Sequence, residues 1–203
     1  MLGVVGLLDD SSKTVTRMFK SAGAAVVLLG DNLGELGGSE YLSTMHQKVA
    51  GKPPAIDLAR EAALQKLIVS LIRGGLVESA QDCSEGGLAI TLAECTFDGA
   101  GLGVTADVAC SDEAVAATNF AVNAALFGES ASRIIVSVSS GHLDAVMSAA
   151  RAAGVPAQKI GEVGGDRIRL SVRGKQVVDR AVADAENAWA TAIEKKMSRK
   201  AAS

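Results

Sequence analysis

The chain switches repeatedly between apolar runs of strand length and apolar residues spaced three and four apart, the marks of strands and amphipathic helices. Residues 24–29 are wholly apolar and end at Gly30-Asp31-Asn32-Leu33-Gly34, which predicts a buried strand and a turn. Residues 40–49 read as a short helix stopped by Lys52-Pro53-Pro54. Asp57 caps a longer helix whose apolar face is Leu58, Ala62, Leu64, Leu67, Ile68 and Leu71, closed by Gly74-Gly75. Residues 77–81 approach a turn as a short strand, and 87–97 form a helix carrying Leu88, Leu92 and Cys95. Residues 101–106 alternate as a strand, and Ser111-Asp112-Glu113 caps a helix reaching Ala125. The run Arg-Ile-Ile-Val-Ser-Val at 133–138 is a strong strand pattern. Residues 142–153 form a helix ended by Gly154, and 157–163 and 167–172 form a hairpin around Gly164-Gly165-Asp166. Residues 175–196 read as one long final helix. Residues 2–8 are strand-like from the start. No internal repeat is visible. These elements predict an α/β domain, an α+β sandwich with a mixed sheet flanked by helices.

Composition narrows the picture. The 203 residues are 48% hydrophobic but only 3% aromatic, so Ala, Val, Leu and Ile build the core. Glycine occurs 22 times and proline 3 times, which suits short connections between packed elements. The net charge is −3, and the only basic cluster is Lys195-Lys196-Met197-Ser198-Arg199-Lys200, so no nucleic-acid partner is expected. Cys83, Cys95 and Cys110 have no CxxC spacing, which argues for reduced thiols in a cytoplasmic setting, not a disulfide or zinc scaffold. No apolar run has the roughly 18–20 residues of a membrane span. The N-terminus has no basic leader and reaches Asp9-Asp10 at once. A strand so close to Met1 gives the expectation of a piece cut from a longer protein: a linking strand over 1–10, a domain over 11–196 and a basic tail over 197–203.

Candidate chemistry centres on Asp82-Cys83-Ser84-Glu85-Gly86-Gly87-Leu88, where a turn becomes a helix. Unpaired amides at a helix start favour anions, and glycines let a phosphate or carboxylate approach the backbone. Asp82 and Glu85 add acidic oxygens for a hard cation. The alternative is a plain helix cap by Ser84 or Asp82, with Gly86-Gly87 as its turn. The run Leu126-Phe127-Gly128-Glu129-Ser130-Ala131-Ser132-Arg133 offers a carboxylate, a hydroxyl and a guanidinium at a strand entrance; the alternative is a loop in which Glu129 and Arg133 pair with each other. Gly37-Gly38-Ser39-Glu40 opens a third helix, with Glu40 a further candidate cation ligand. His46 and His142 stand alone, Cys83 has no neighbouring base, and Trp189 is expected to pack the last helix. The candidate ligand-binding residues are thus Asp82, Ser84, Gly86, Gly87, Glu129, Ser130 and Arg133, the candidate metal ligands Glu40 and Asp82, and no residue is assigned as catalytic.

The order of GDN, GGSEYL, DCSEGGLAITLAE and LFGESASRIIVSV resembles the last domain of the phosphoribosylformylglycinamidine synthase family, within the aminoimidazole ribonucleotide synthetase-like superfamily. The resemblance covers residues 3 to 195. It implies a parent ligase of purine biosynthesis that uses ATP and magnesium to activate a formamide oxygen as a phosphate ester, which ammonia then displaces. It also implies partners: the upstream domains of the same enzyme, a glutaminase subunit and a small accessory subunit, with a homodimer possible in addition. The family's earlier copy of this domain has the run E-S-Q-E-R. Here the run Glu129-Ser130-Ala131-Ser132-Arg133 keeps only Glu, Ser and Arg. The departure implies a structural or auxiliary domain, inactive alone. The alternatives kept beside it are a stand-alone nucleotide-phosphate-binding module and an interaction domain.

Overall fold

The computed structural model describes residues 3, 5–8, 10–109 and 119–201. Seven strands form one sheet in the order β2-β4-β1-β5-β3-β6-β7. They are β1 (Ala25–Leu29), β2 (Ser79–Asp82), β3 (Val104–Val108), β4 (Ile134–Val138), β5 (Ala157–Val163), β6 (Arg167–Val172) and β7 (Lys175–Ala181). All neighbours are antiparallel except β3 and β6, which run parallel. The helices are α1 (Glu40–His46), α2 (Leu58–Arg73), α3 (Gly87–Glu94), α4 (Asn119–Phe127), α5 (Leu143–Ala152), α6 (Val182–Ala190) and α7 (Ala192–Ala201). The expected mixed sheet flanked by helices is the architecture found.

β1 explains the layering. All five of its residues are buried. Successive side chains point to opposite faces, so an unbroken apolar strand must be covered on both. Val26 and Leu28 join Leu88 and Leu92 of α3, Ala125 and Leu126 of α4 and Val182 of α6. Val27 and Leu29 join Leu64, Leu67 and Leu71 of α2 and Val146 and Ala150 of α5. Each fully buried leucine contributes about 1.5–3 kcal/mol relative to exposure. The second layer covers only the β1 end of the sheet. Farther out β3 alternates buried and exposed, and half-buried Arg167 and Arg169 of β6 pair with Asp179 of β7.

Four expectations are corrected. Residues 5–8 carry no strand, and Val5 and Leu7 are 99% and 100% exposed, because no strand lies beside them. β5 and β6 are not a hairpin: β3 inserts between them and pairs with both. The hairpin is β6–β7, turning at Arg173 (φ 52°) and Gly174 (φ 77°). Residues 175–181 are therefore strand, not helix, and the helical part after them breaks into α6 and α7 at Thr191. The face of α2 is also narrower than its pattern, since Leu58 and Ala62 are exposed. The expected cap at Ser111-Asp112-Glu113, and Cys110, lie outside the described residues.

Candidate functional site

Three loops meet at one end of the sheet. They follow β1 (residues 30–39), join β2 to α3 (83–86) and join α4 to β4 (128–133). Each candidate residue lies on one of them or at its edge, so the fold brings together what the sequence spreads over a hundred positions.

Glu129 ties the loops together. Its Oε1 accepts the amide of Gly86 at 2.8 Å and the amide of Glu40, first residue of α1, at 2.9 Å. Its own amide donates to the carbonyl of Glu35 at 2.8 Å. Gly86 is the N-cap of α3, at φ 79°, and has no side-chain cap. Neither Ser84 nor Asp82 caps the helix: the Ser84 hydroxyl donates to Asp82 Oδ2 at 2.5 Å, and both residues are exposed. The position that a ligand anion would take at the start of α3 thus receives a carboxylate from the protein itself.

Gly86-Gly87 has a packing reason. A Cβ on Gly87, at φ 64°, would stand 2.5 Å from the carbonyl oxygen of Gly128 and 2.8 Å from the carbonyl carbon of Phe127. The glycine admits the α4–β4 turn against the start of α3, not a ligand.

Arg133 does not pair with Glu129. It is 2% exposed and spends its guanidinium on the loops: Nε donates to the Ser130 carbonyl at 2.8 Å, Nη1 to Asn32 Oδ1 at 2.7 Å and Nη2 to the Gly128 carbonyl at 2.7 Å. Burial pushes its pKa down, opposed by the neighbouring Cys83, Glu35 and Glu129. Ser130 is 1% exposed, and its hydroxyl accepts the Glu35 amide at 3.3 Å. Both are interior loop-binding residues and present nothing to solvent, which corrects the reading of Arg133 as a free guanidinium.

Glu35 and Asn32 were the residues that sequence reasoning missed. Glu35 Oε1 accepts the Ala55 amide at 3.2 Å, while its Oε2 is buried without a hydrogen-bond partner among the described residues. The dense glycine run around them, GDNLGELGG, was the available signal. Ser39 caps α1, its hydroxyl accepting the Leu42 amide at 3.3 Å. Of the candidate cation ligands, Asp82 holds Ser84 and Glu40 faces the Thr44 hydroxyl at 3.4 Å. Among the described residues no three His, Cys, Asp or Glu side chains gather as a metal site. Cys83 and Cys95 are buried free thiols, and burial pushes Cys83 up to about 11. No helix among the described residues is long and apolar enough to cross a membrane.

A mixed sheet with helices on both faces, and a glycine-rich loop cluster at one end, is the α/β architecture that the resemblance above implies. The chain belongs to the family described as AIR synthase related protein, C-terminal domain, which matches residues 21–173. It is similar to the phosphoribosylformylglycinamidine synthase subunit PurL of an Anaeromyxobacter species, at 43% identity over 190 residues, covering 93% of this chain and 24% of that protein. It is also similar to the subunit of that name from Alkaliphilus metalliredigens, at 38% identity over 194 residues, covering 96% of this chain and 25% of that protein. The chain spans about a quarter of the length of these relatives. Thermotoga maritima PurL, solved in complex with ATP, shares the fold at a TM-score of 0.67 and 19% identity, over 87% of this chain and 28% of that one.

Proposed function

We propose that this chain is the C-terminal domain of the synthetase subunit of an ATP-dependent carbon–nitrogen ligase of purine biosynthesis. The parent converts formylglycinamide ribonucleotide to formylglycinamidine ribonucleotide, and this domain serves it as a scaffold that is inactive alone. Identities of 43% and 38% to subunits named for that synthase, over nearly the whole chain, support the assignment. The ATP complex of the structural relative supports a nucleotide requirement in the parent. Its partners in this reading are the upstream domains, a glutaminase subunit and a small accessory subunit, in the cytoplasm.

The single observation that carries the scaffold role is the Glu129 carboxylate. It fills the anion position at α3 and joins the starts of α1 and α3. Phosphoryl chemistry needs cations and magnesium around a transferring phosphate. Here the loop-cluster arginine is turned inward onto backbone carbonyls, and among the described residues no acidic cluster offers a cation site. The residues present do not fit a complete magnesium–nucleotide site, and no reaction step is assigned to them.

Calorimetry with magnesium ADP and magnesium ATP tests this reading. The expected result is no binding tighter than about 1 mM. Micromolar binding abolished by Asp82→Asn would overturn the scaffold role and make the domain a self-sufficient nucleotide module.

A further inference from the structure

Trp189, Ile193 and Met197 stand four residues apart, so they share one helix face wherever the helical ladder is continuous. The ladder does run through the joint of α6 and α7. The Thr191 amide donates to the Asn187 carbonyl at 3.2 Å, and the Lys195 amide to the Thr191 carbonyl at 3.0 Å. Val182, seven positions before Trp189, lies on the same face and is buried in the core. Beyond it the stripe emerges: Trp189 is 48% exposed, Ile193 76% and Met197 69%. The apolar face that seats α6 on the domain thus continues along α7 with nothing over it among the described residues. A helix of ten residues is marginal by itself, and an apolar stripe is what a helix buries against a neighbour.

Charge is segregated between α7 and the helices before it. The sequence of α7 has Lys195, Lys196, Arg199 and Lys200 against Glu194 alone. α3, α4 and α6, the helical layer on one side of the sheet, hold no lysine or arginine. Their carboxylates are Glu94, Asp184 and Glu186. α3 packs on both α4 and α6, so the three helices present one surface, on which Ile90 of α3 and Phe120 of α4 are exposed. The α7 of the same chain does not lie on that surface, since residues 192–198 are all exposed. Two α7 helices packed on each other would oppose like charges, which is unfavourable. An α7 helix on the α3–α4–α6 layer of another molecule instead joins apolar to apolar and basic to acidic.

We propose that two copies of this chain exchange their α7 helices, each docking on the α3–α4–α6 layer of the other across a two-fold axis. The same contact then occurs twice in the dimer, as a two-fold interface requires. Ile193 and Met197 cover Ile90 and Phe120, while the basic side of α7 meets the carboxylates. A small interface held partly by exposed charges is weak and salt-sensitive. At about 1 µM the chain is therefore a monomer with α7 uncovered, and the dimer forms at higher concentration. The surface does not depend on the role proposed for the loop cluster.

Sedimentation velocity of the whole chain in low salt, from about 1 to about 200 µM, tests this. The expected mass is 20.6 kDa when dilute and rises toward twice that value at the upper end. Ile193→Ser with Met197→Ser should weaken the dimer by about tenfold or more, since both side chains lose an apolar contact. Lys195→Glu with Lys196→Glu should give a monomer, and so should Glu94→Lys with Asp184→Lys, because each pair sets like charges face to face. Mixing the two charge-reversed proteins places opposite charges at both contacts and should restore the dimer. Lys195, Lys196 and Asp184 are exposed and Glu94 ends α3, so these variants keep the fold, which circular dichroism verifies. The proposal is overturned if the native chain stays monomeric at the highest concentration or if the Ile193, Met197 variant dimerises as well as native. It is equally overturned if either charge-reversed protein still dimerises alone, or if their mixture stays monomeric.

Discussion

Oε1 of Glu129 takes hydrogen bonds from amides that lie 43 and 89 positions away in sequence. Both donors stand at helix starts, where amides lack intrahelical partners and the helix dipole favours negative charge. A neutral amide in the same place keeps an acceptor but gives up the charge, and alanine leaves both donors unmet. Glu129→Gln should therefore cost about 1 kcal/mol and Glu129→Ala about 2–3 kcal/mol, read as urea midpoints at constant slope. If alanine is tolerated within about 0.5 kcal/mol, water replaces the carboxylate and the latch has no energetic content. The residues of this cluster were visible in sequence as DCSEGG and FGES, and even the pairing of Ser39 with α1 was legible as a cap. Which polar group meets which was not. The bond from Arg133 to Asn32 spans 101 positions, and no local pattern encodes that closure.

Among elements, legibility followed burial. β1 and β4 are covered by helices, and their apolar runs announced them. β7 lies at the sheet edge with mostly exposed or half-buried residues, so its sequence, KQVVDRA, has no alternation to read and becomes strand only by pairing with β6. β3 was read as a strand, but its insertion between β5 and β6 is a long-range choice that made two sequence neighbours look like a hairpin. α7 illustrates the other extreme. Residues 192–198 are all exposed, whereas Trp189, one helix earlier, packs at a tilt against Phe97 with ring centroids 5.6 Å apart and Arg17 at 6.0 Å from its ring. A helix that buries nothing adds little to tertiary stability. Ending the chain after Thr191 should lower helical circular dichroism yet shift stability by less than about 0.5 kcal/mol. A loss above about 2 kcal/mol would mean that α7 packs on the domain in solution.

At the scale of the whole molecule the sheet divides two cores, and both described thiols sit on the side of α3 and α4. Cys83 is raised from 9.0 to about 11 and Cys95 is raised as well, first by burial; around Cys83 the charge of Asp82 adds to this while Arg133 and a hydrogen bond from Thr91 oppose it. The apolar core disfavours thiolate, whereas the unfolded chain ionises its cysteines near their ordinary value. Below pH 9 both states hold the thiol protons, and this contribution to stability is fully present. As pH rises above 9 the unfolded state sheds protons that the folded state keeps, so it binds fewer and stability falls. The loss grows through pH 11, where Cys83 itself begins to ionise in the core. Urea midpoints at pH 8 and pH 10.5 should differ more for the native sequence than for a Cys83→Ala, Cys95→Ala variant. Equal slopes in the two proteins would show that the thiols are reached by water in the folded state, and that the α3–α4 side of the sheet is looser than its packing implies.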